Sequence, residues 1–171
     1  MRHSDSRKKS RSKKKKMIAI FFTKLGILNR VILESQRTVT ASWLPKESLS
    51  KVIQNLKYLR PNSTPDNWHF HHYNAPAHRS RETASLLQDV EVKLLEHPAY
   101  SPDLAPCDFG LFPVIEEKLK GRRFASDTEL LAAWDHVCPE LPEEKWKKFF
   151  NDWFIRMNKC ISYGSSYFEK L

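Results

Sequence analysis

The sequence predicts an α/β fold, because short strand-like runs alternate with segments of helical spacing. Four short runs are predicted as strands, namely 17–22, 27–33, 68–72 and 91–95, and the first of them is apolar and partly β-branched. Five segments carry helical spacing, capping residues or both: 45–59, 80–89, 111–120, 127–137 and 143–160. A chain of 171 residues with 40% hydrophobic side chains is long enough for one core, so one folded domain is expected.

The two strands nearest the N-terminus are predicted to form a hairpin over 17–33. The residues at 24–26 supply the turn between them, and they end in a glycine. The apolar residues of 27–33 tend to alternate with polar ones, which is typical of a strand with two unlike faces.

The next two helices are predicted from their apolar faces. Over 45–59 that face consists of Leu49, Val52, Ile53, Leu56 and Leu59. Pro45 suits the first turn of this helix, and the pair Arg60-Pro61 suits its end. Over 80–89 the inward side chains are expected to be Ala84, Leu86 and Leu87.

A proline-rich loop over 98–106 leads to Asp108 and then to another helix. Pro113 would kink the interior of that helix but suits its first turn. The helix is therefore expected to begin at Leu111.

A capping box and an aromatic face define the two C-terminal helices. Ser126, followed by Glu129 three residues later, is typical of the start of a helix, here over 127–137. The last helix, 143–160, places six large side chains around one face: Trp146, Phe149, Phe150, Trp153, Ile155 and Met157. Aromatic residues at this spacing are more often core than a platform for stacking bases, so we expect a core face.

The basic charge of the chain is concentrated at its N-terminus. The formal net charge is +9, and residues 1–16 hold nine Lys or Arg against one Asp, which leaves +1 for 17–171. We interpret 1–16 as a disordered basic segment and 17–171 as the folded part. Such a segment is either solvated surface or a patch for nuclear import or nucleic acid. The candidate nucleic-acid contacts within it are Lys8, Lys9, Arg11, Lys13, Lys14, Lys15 and Lys16.

The cysteines and the hydropathy pattern argue against a disulfide-rich protein and against a membrane-spanning one. The three cysteines show no paired spacing, so reduced thiols rather than a disulfide framework are expected. Four side chains, His71, His72, His78 and Cys107, could be combined into a zinc site, but their spacing fits no structural zinc pattern.

No apolar run reaches transmembrane length, and no membrane partner is expected. We expect a nuclear location, with the cytoplasm as the alternative.

Two segments are dense in histidine, proline and aspartate: WHFHHYNAPAHRS at 68–80 and HPAYSPDLAPCDFGLFP at 97–113. Both resemble mariner-type transposases, in which the first segment is an HHDNAPAH box, the second ends in a CDF or SDY triplet, and each contributes a catalytic aspartate. KGRRF at 120–124 and NKCISYGSSYFE at 158–169 match further motifs of that family. The resemblance runs from about residue 4 to residue 169 and implies an RNase H-like catalytic domain with extra C-terminal helices.

The resemblance also implies partners. DNA is the expected macromolecular partner, Mg²⁺ is the cofactor used in the family, and a homo-oligomer is possible by family analogy. Arg122 and Arg123 of the KGRRF motif are either a solvated corner or contacts to the DNA backbone, for which arginine is favoured.

The chain departs from the family pattern at Tyr73, where the family has an aspartate. The second aspartate of this pair is matched by Asp108, and 34 residues lie between the two positions. Two-metal phosphoryl transfer needs several carboxylates around cations about 3.5–4 Å apart, whereas a phenol is protonated at pH 7 and is a poor Mg²⁺ ligand. Asp108 alone would hold Mg²⁺ weakly at best, so no tightly bound metal is expected.

A catalytic strand of the family has no match in this sequence. That strand carries a Gly-Asp-Glu aspartate, and no such triplet occurs in residues 1–171. The resemblance places it in the middle of the sheet, between 17–22 and 68–72. Either these two strands pair directly, or the fold stays partly molten and needs a partner. Since a domain has only about 5–15 kcal/mol of net stability, we expect poor solubility or a broad thermal transition.

Three functional hypotheses follow from these observations. The first is a degenerate transposase fragment that neither cleaves DNA nor transfers strands, and that at most binds nucleic acid weakly and without sequence preference. The second is a repurposed DNA-binding or protein-interaction module that uses the segment 1–16. A residual nuclease is the third.

Overall fold

The computed structural model describes residues 18–33 and 39–164, and within these ranges it has four strands and five α-helices. Strand β1 (Ile18–Thr23) pairs antiparallel with β2 (Gly26–Ile32), and β3 (His69–His71) pairs parallel with β4 (Lys93–Leu95). The helices are α1 (Ser50–Leu59), α2 (Arg81–Asp89), α3 (Phe112–Leu119), α4 (Asp127–Val137) and α5 (Glu143–Ser162). The chain is therefore a mixed α/β protein, as its sequence pattern predicted.

The predicted hairpin is confirmed over the part of it that is described. Gly26 opens β2 with a φ of +134°, a conformation that residues with a Cβ rarely adopt. In the turn, the backbone N–H of Leu25 donates to Oγ1 of Thr23 at 3.2 Å. Phe21 pairs with Asn29 and Phe22 with Ile27, so Leu28 is the extra residue and the bulge lies in β2.

The helices lie close to their predicted positions because their end signals are local. Ser80 accepts a hydrogen bond from the backbone N–H of Thr83 at 3.2 Å and so caps α2. Ser126 does the same for Glu129 at 3.1 Å and caps α4. A π-helical turn over Leu44–Leu49 leads directly into α1.

Three side chains that were expected to face inward are exposed. Leu59 is 59% exposed because it is the last residue of α1 and extends past the core. Ala84 is exposed because α2 buries Thr83 and Leu87 instead, which lie one turn apart on the same face. Ile155 is 54% exposed, since it lies two residues, or about 200°, beyond the buried Trp153.

The helix expected from Leu111 is preceded by a further turn. A π-helical turn over Cys107–Leu111 runs straight into α3, so the helical region begins four residues earlier than its proline suggested. Pro113 still lies in the first turn of α3, where its missing N–H is tolerated. The turn places Asp108 at the start of a helical segment rather than in a loop.

Strand β1 contributes side chains to two separate hydrophobic clusters. Ile20 and Phe22 pack on a cluster made by α3, α4 and α5, which includes Leu111, Ile115 and Phe149. Phe21 packs instead on a second cluster, formed by Leu49, Ile53, Trp68 and Leu87. Because neighbouring residues of a strand point to opposite faces, β1 lies between two helical layers.

Of the two alternatives for the strands near 17–22 and 68–72, direct pairing is not found among the described residues. There β1 pairs only with β2 and β3 only with β4, giving two separate two-stranded sheets. The two sheets approach each other through Phe21 and Phe70, whose ring centroids are 6.3 Å apart. Within the described ranges, none of the helices has the length and apolar character needed to cross a membrane.

Gly110→Ala should destabilise the fold. An added Cβ would lie 2.8 Å from Cδ1 of Phe149, a core ring that is only 4% exposed and has little room to move. Overpacking of this kind costs about 1–3 kcal/mol, which urea unfolding would measure. In a Phe149→Leu background the same substitution should cost less, because the opposing ring is gone. If Gly110→Ala lowers the free energy of unfolding equally in both backgrounds, the proposed clash with Phe149 would be contradicted.

Candidate functional site

The end of β3 and the loop after β4 form the candidate site. Because β3 and β4 are parallel, their carboxyl ends lie at the same edge of the sheet. Nε2 of His71, at the end of β3, lies 3.1 Å from Nδ1 of His97 in the loop after β4. The side-chain amide of Asn74 also donates to the backbone carbonyl of His97. These two contacts hold the two motif segments together.

Tyr73 packs against His97, and Asp108 lies within electrostatic range of the same imidazole. The ring centroids of Tyr73 and His97 are 4.9 Å apart, and Tyr73 is 43% exposed. His97 is only 4% exposed, and its imidazole interacts electrostatically with Asp108 and with Asp103. The structure therefore brings the two positions around one buried ring.

Helix α5 and the proline-rich loop close the other side of this site. The ring of Trp153 lies 4.5 Å from the ring of His71. Arg156 donates to the backbone carbonyl of Asp103 at 3.1 Å, and its guanidinium lies 4.4 Å from the ring centroid of Phe109. The last helix thus positions the segment that carries Asp108.

The histidines of the site are held in their neutral form. Burial, with repulsion from neighbouring histidines, lowers the pKa of His71 to about 4, and burial with repulsion from His72 lowers that of His78 to about 4. Burial also lowers the pKa of His97, although Asp108 and Asp103 oppose that change. At pH 7 these three rings therefore bring no positive charge to the site.

The acidic and thiol groups of the site have raised pKa values. Burial raises the pKa of Asp108, and His97 opposes the rise, although part of the Asp108 side chain is open to solvent. Burial and the charge of Asp108 raise the pKa of Cys107 to about 12, so its sulfur is a thiol at pH 7.

The site does not have the donor set of a metal centre. Within 18–33 and 39–164, no group of three or more His, Cys, Asp and Glu side chains is arranged to hold a metal ion. This covers the zinc arrangement that His71, His72, His78 and Cys107 suggested. Some buried polar atoms here have no hydrogen-bond partner, including Nε2 of His97 and Oδ1 of Asp103.

Four residues of the site were not singled out from the sequence: Asn74, His97, Asp103 and Trp153. The first three lie inside the motif segments 68–80 and 97–113, so membership of these motifs is the sequence feature that could have identified them. Trp153 was predicted as core, and it is buried, but its contact with His71 depends on how α5 packs.

The candidate nucleic-acid contacts lie elsewhere in the chain. Arg122 and Arg123 follow α3, which ends before Gly121 at a φ of +78°. Both arginines are exposed, and the guanidinium of Arg122 lies 5.4 Å from the ring centroid of Phe124. Seven further candidates lie outside the described residues: Lys8, Lys9, Arg11, Lys13, Lys14, Lys15 and Lys16.

Comparison with known sequences finds relatives along most of the chain, although no family model matches it. The chain is 25% identical over 158 residues to the histone-lysine N-methyltransferase SETMAR of Homo sapiens, covering 91% of this chain and 23% of that protein. It is 27% identical over 158 residues to the Mariner Mos1 transposase of Drosophila mauritiana, covering 91% of this chain and 46% of that protein. The chain thus spans less than half the length of either relative.

Comparison with solved structures finds the same relative. The crystal structure of the catalytic domain of Mos1 mariner transposase matches with a TM-score of 0.81 at 26% identity, covering 90% of this chain and 76% of that chain. The Mos1 transposase paired-end complex with left transposon end matches with a TM-score of 0.84 at 27% identity, covering 99% of this chain and 49% of that chain.

The free energy of unfolding should fall as the pH is lowered from about 6.5 towards 4. In the folded chain His71 and His78 have pKa values of about 4, against 6.5 for an unperturbed histidine. Between these values the unfolded chain binds protons that the folded chain does not. The contribution of the neutral His71 and His78 side chains to stability is therefore complete above pH 6.5, and it is lost as the pH falls. Urea unfolding between about pH 7 and pH 5 measures this slope.

A double variant separates these histidines from other titrating groups. His71→Gln together with His78→Gln removes both rings, so the decline in stability between about pH 6.5 and pH 5 should flatten. A slope equal to that of the parent chain would assign the pH dependence to other side chains.

Proposed function

Because the chain is a relative of the mariner-type transposases and has the RNase H-like fold of their catalytic domain, we propose that it is a degenerate member of that group. The comparisons confirm the family and the fold that the motifs predicted. In our proposal the chain neither cleaves DNA nor transfers DNA strands. It binds nucleic acid weakly at most, and without sequence preference.

The observation that carries this proposal is Tyr73 beside His97. Tyr73 occupies the motif position at which the family has an aspartate, and its ring lies 4.9 Å from the His97 ring. Two-metal phosphoryl transfer depends on carboxylates that hold two cations about 3.5–4 Å apart. Tyr73 brings no carboxylate, so Asp108 is left without the partner that such a site needs.

The residues of the site do not fit the metal ions found in the related structures. Structures of the Mos1 catalytic domain have been determined with Mg and with Mn. In this chain the described residues offer no cluster of three or more ligands. We therefore assign no catalytic step to a metal, and binding at Asp108 would be weak.

DNA is the partner that the relatives support. One structural neighbour is a complex of Mos1 transposase with a transposon end. In this chain the basic segment 1–16 and the exposed Arg122 and Arg123 would supply contacts to phosphates. A nuclear location and a homo-oligomeric state accompany this proposal by analogy with the family.

The charge distribution favours a second candidate function. Residues 1–16 carry a net charge of +8, whereas 17–171 carry only +1. A repurposed DNA-binding or protein-interaction module would use the basic segment as its working part and the domain as its scaffold. It differs from the first proposal because it requires a specific partner for the segment.

The purified chain should not nick or join DNA in the presence of Mg²⁺ or Mn²⁺. Tyr73→Asp alone should not restore activity, because residues 1–171 contain no Gly-Asp-Glu triplet to supply the other carboxylate. The measurement is conversion of supercoiled plasmid to nicked and linear forms.

Asp108→Ala is the control for contaminating nucleases. Nicking that requires the metal and disappears in Asp108→Ala would contradict the proposal. Nicking that persists in that variant would come from a contaminant and would leave the predicted inactivity in place. Mn²⁺ titration calorimetry of the parent chain, Tyr73→Asp and Asp108→Ala would show whether a restored carboxylate improves metal affinity without activity.

DNA binding should be independent of sequence and should weaken steeply with salt. If all nine basic side chains of 1–16 contacted phosphates, the slope of log K against log salt would approach about −8. A chain that contacts fewer phosphates gives a shallower slope. Fluorescence anisotropy with two unrelated duplexes of equal length measures both properties.

Deletion of 1–16 should abolish this binding, and Arg122→Ser with Arg123→Ser in the intact chain should reduce it only slightly. If the affinity for DNA is unchanged after deletion of 1–16, the binding site would be assigned to Arg122 and Arg123. A preference of more than about tenfold, or 1.4 kcal/mol, for one duplex would favour the repurposed module instead.

A further inference from the structure

The segment 120–126, KGRRFAS, connects α3 to α4 and is exposed at every residue except Phe124, which is half-buried. Ser126 ends this segment with an exposed side chain and an extended backbone, at a φ of −141° and a ψ of 162°. A Cβ added at Gly121 would meet no heavy atom within 4 Å, so the segment is open there. A folded partner can therefore reach Ser126 together with the residues that precede it.

Two arginines precede Ser126, by four residues and by three. Arg122 and Arg123 are both exposed, and neither forms part of the core. A guanidinium pair at a fixed distance before a hydroxyl is a charge pattern that basophilic serine/threonine protein kinases read with acidic side chains. The segment therefore offers both a reactive hydroxyl and a feature that would direct a kinase to it.

The first turn of α4 can open without uncovering the core. The buried residues of α4, Ala133 and Val137, lie in the second half of the helix. The first turn is held by the Ser126 cap and by the carboxylate of Glu129, which accepts from the backbone N–H of Ala125 at 2.7 Å. Both hydrogen bonds are exposed, and helix ends of this kind open at little cost in free energy. Opening releases Oγ of Ser126 and lets the chain extend on both sides of it.

From these observations we propose that Ser126 is a phosphorylation site for a basophilic serine/threonine protein kinase. Oγ of Ser126 attacks the γ-phosphorus of ATP, so that an Oγ–P bond forms and the bond between that phosphorus and the β,γ-bridging oxygen breaks. ADP leaves, and the hydroxyl proton passes to the catalytic aspartate of the kinase. The kinase and ATP supply all of this chemistry, so the site does not depend on any activity of the chain itself.

Exposure separates Ser126 from the other described serine that follows an arginine at this distance. Ser63 lies three residues after Arg60, but it is half-buried, and its Oγ accepts a hydrogen bond from the indole N–H of Trp68 at 2.6 Å. Among the serines of 18–33 and 39–164, only Ser126 combines an arginine three residues earlier with an exposed hydroxyl.

A phosphate on Ser126 reverses the charge of its surroundings. Residues 120–129 hold three basic and two acidic side chains, a net charge of +1. A phosphoserine adds about −1.5 to −2 at pH 7, and its oxygens accept charge-assisted hydrogen bonds from guanidinium groups. The acidic side chains, Asp127 and Glu129, repel the phosphate from the helical side, which favours its pairing with the two arginines on the other side.

The effect of this modification on DNA binding, unlike the site itself, rests on the proposed function. The phosphate lowers the net charge of 120–129 by about as much as the loss of both arginines does. Phosphorylation should therefore lower the affinity for DNA by about the same factor as Arg122→Ser with Arg123→Ser.

The site is tested on the full chain with ATP and purified calmodulin-dependent protein kinase II, a kinase that selects arginine three residues before its target. Mass spectrometry of proteolytic fragments measures the initial rate of phosphorylation at Ser126. Ser126→Asn should take up no phosphate at this position, although asparagine caps a helix as well as serine does. Ser126→Thr keeps a hydroxyl and should still be modified.

Arg123→Gln tests recognition, and Arg122→Gln is its matched control. Neither substitution removes a buried side chain. Arg123→Gln should slow phosphorylation of Ser126 by at least about tenfold, and Arg122→Gln should slow it less, because only Arg123 lies three residues before the hydroxyl.

Two outcomes would overturn the proposed site. One is no phosphate at Ser126 while a standard substrate peptide is modified in the same reaction. The other is a rate at Ser126 that is the same in Arg123→Gln as in the parent chain, because the arginine would then have no role in recognition.

The effect on DNA is measured by fluorescence anisotropy in a chain whose N-terminal serines are replaced by alanine, so that the segment 1–16 stays unmodified: Ser4, Ser6, Ser10 and Ser12. An affinity that falls in the double arginine variant but not after phosphorylation of Ser126 would contradict the pairing of phosphate with arginine. A chain that binds no DNA before phosphorylation would contradict the proposed function and would leave the site in place.

Discussion

The alternation of side chains along β1 is the constraint on which the rest of this fold depends. Ile20 and Phe22 belong to the cluster beneath α3, α4 and α5, whereas Phe21 belongs to the cluster beneath α1 and α2. One six-residue strand thus contacts both helical layers. Because a shift of one residue would exchange these faces, the register of the hairpin also fixes which helices lie on which side.

The candidate site is held together by packing and backbone contacts rather than by charge. Asn74 binds the His97 carbonyl, His71 contacts the His97 ring, and Trp153 packs on His71. None of these contacts needs a carboxylate at position 73. The scaffold of the site can therefore persist when the residue at that position changes, which explains how a transposase-like arrangement coexists with Tyr73.

Much of this fold follows from local sequence signals, and the remainder depends on tertiary packing. Ser126 caps α4 as the sequence predicted, and Ser80 caps α2 in the same way, because capping needs only a hydroxyl and a nearby N–H. The rotation of each helix depends on its neighbours, so the exposure of Ala84 and Ile155 was not predicted. In α2 the buried Thr83 decides the inward face by donating to the backbone carbonyl of Ala77 at 3.2 Å.

For the candidate site, the two motif segments were enough to predict that the ends of β3 and of the loop after β4 meet, as the contacts of His71 and Asn74 with His97 show. Burial of His97 in a loop was not predictable, because it depends on α5 and on the parallel pairing of β3 with β4. The separation into two sheets has a similar cause. Strand patterns report which residues are extended, but they do not report which edges meet.

The outer edge of β4 has a consequence for the behaviour of the protein at high concentration. The three residues of β4, Lys93–Leu95, are all exposed, with Leu94 at 46% and Leu95 at 38%. An open edge with apolar side chains is a template for strand pairing between copies of a chain. Two features oppose this self-association: the edge is only three residues long, and it begins with the charge of Lys93. The charge of Lys93 therefore affects whether copies of the chain associate in solution.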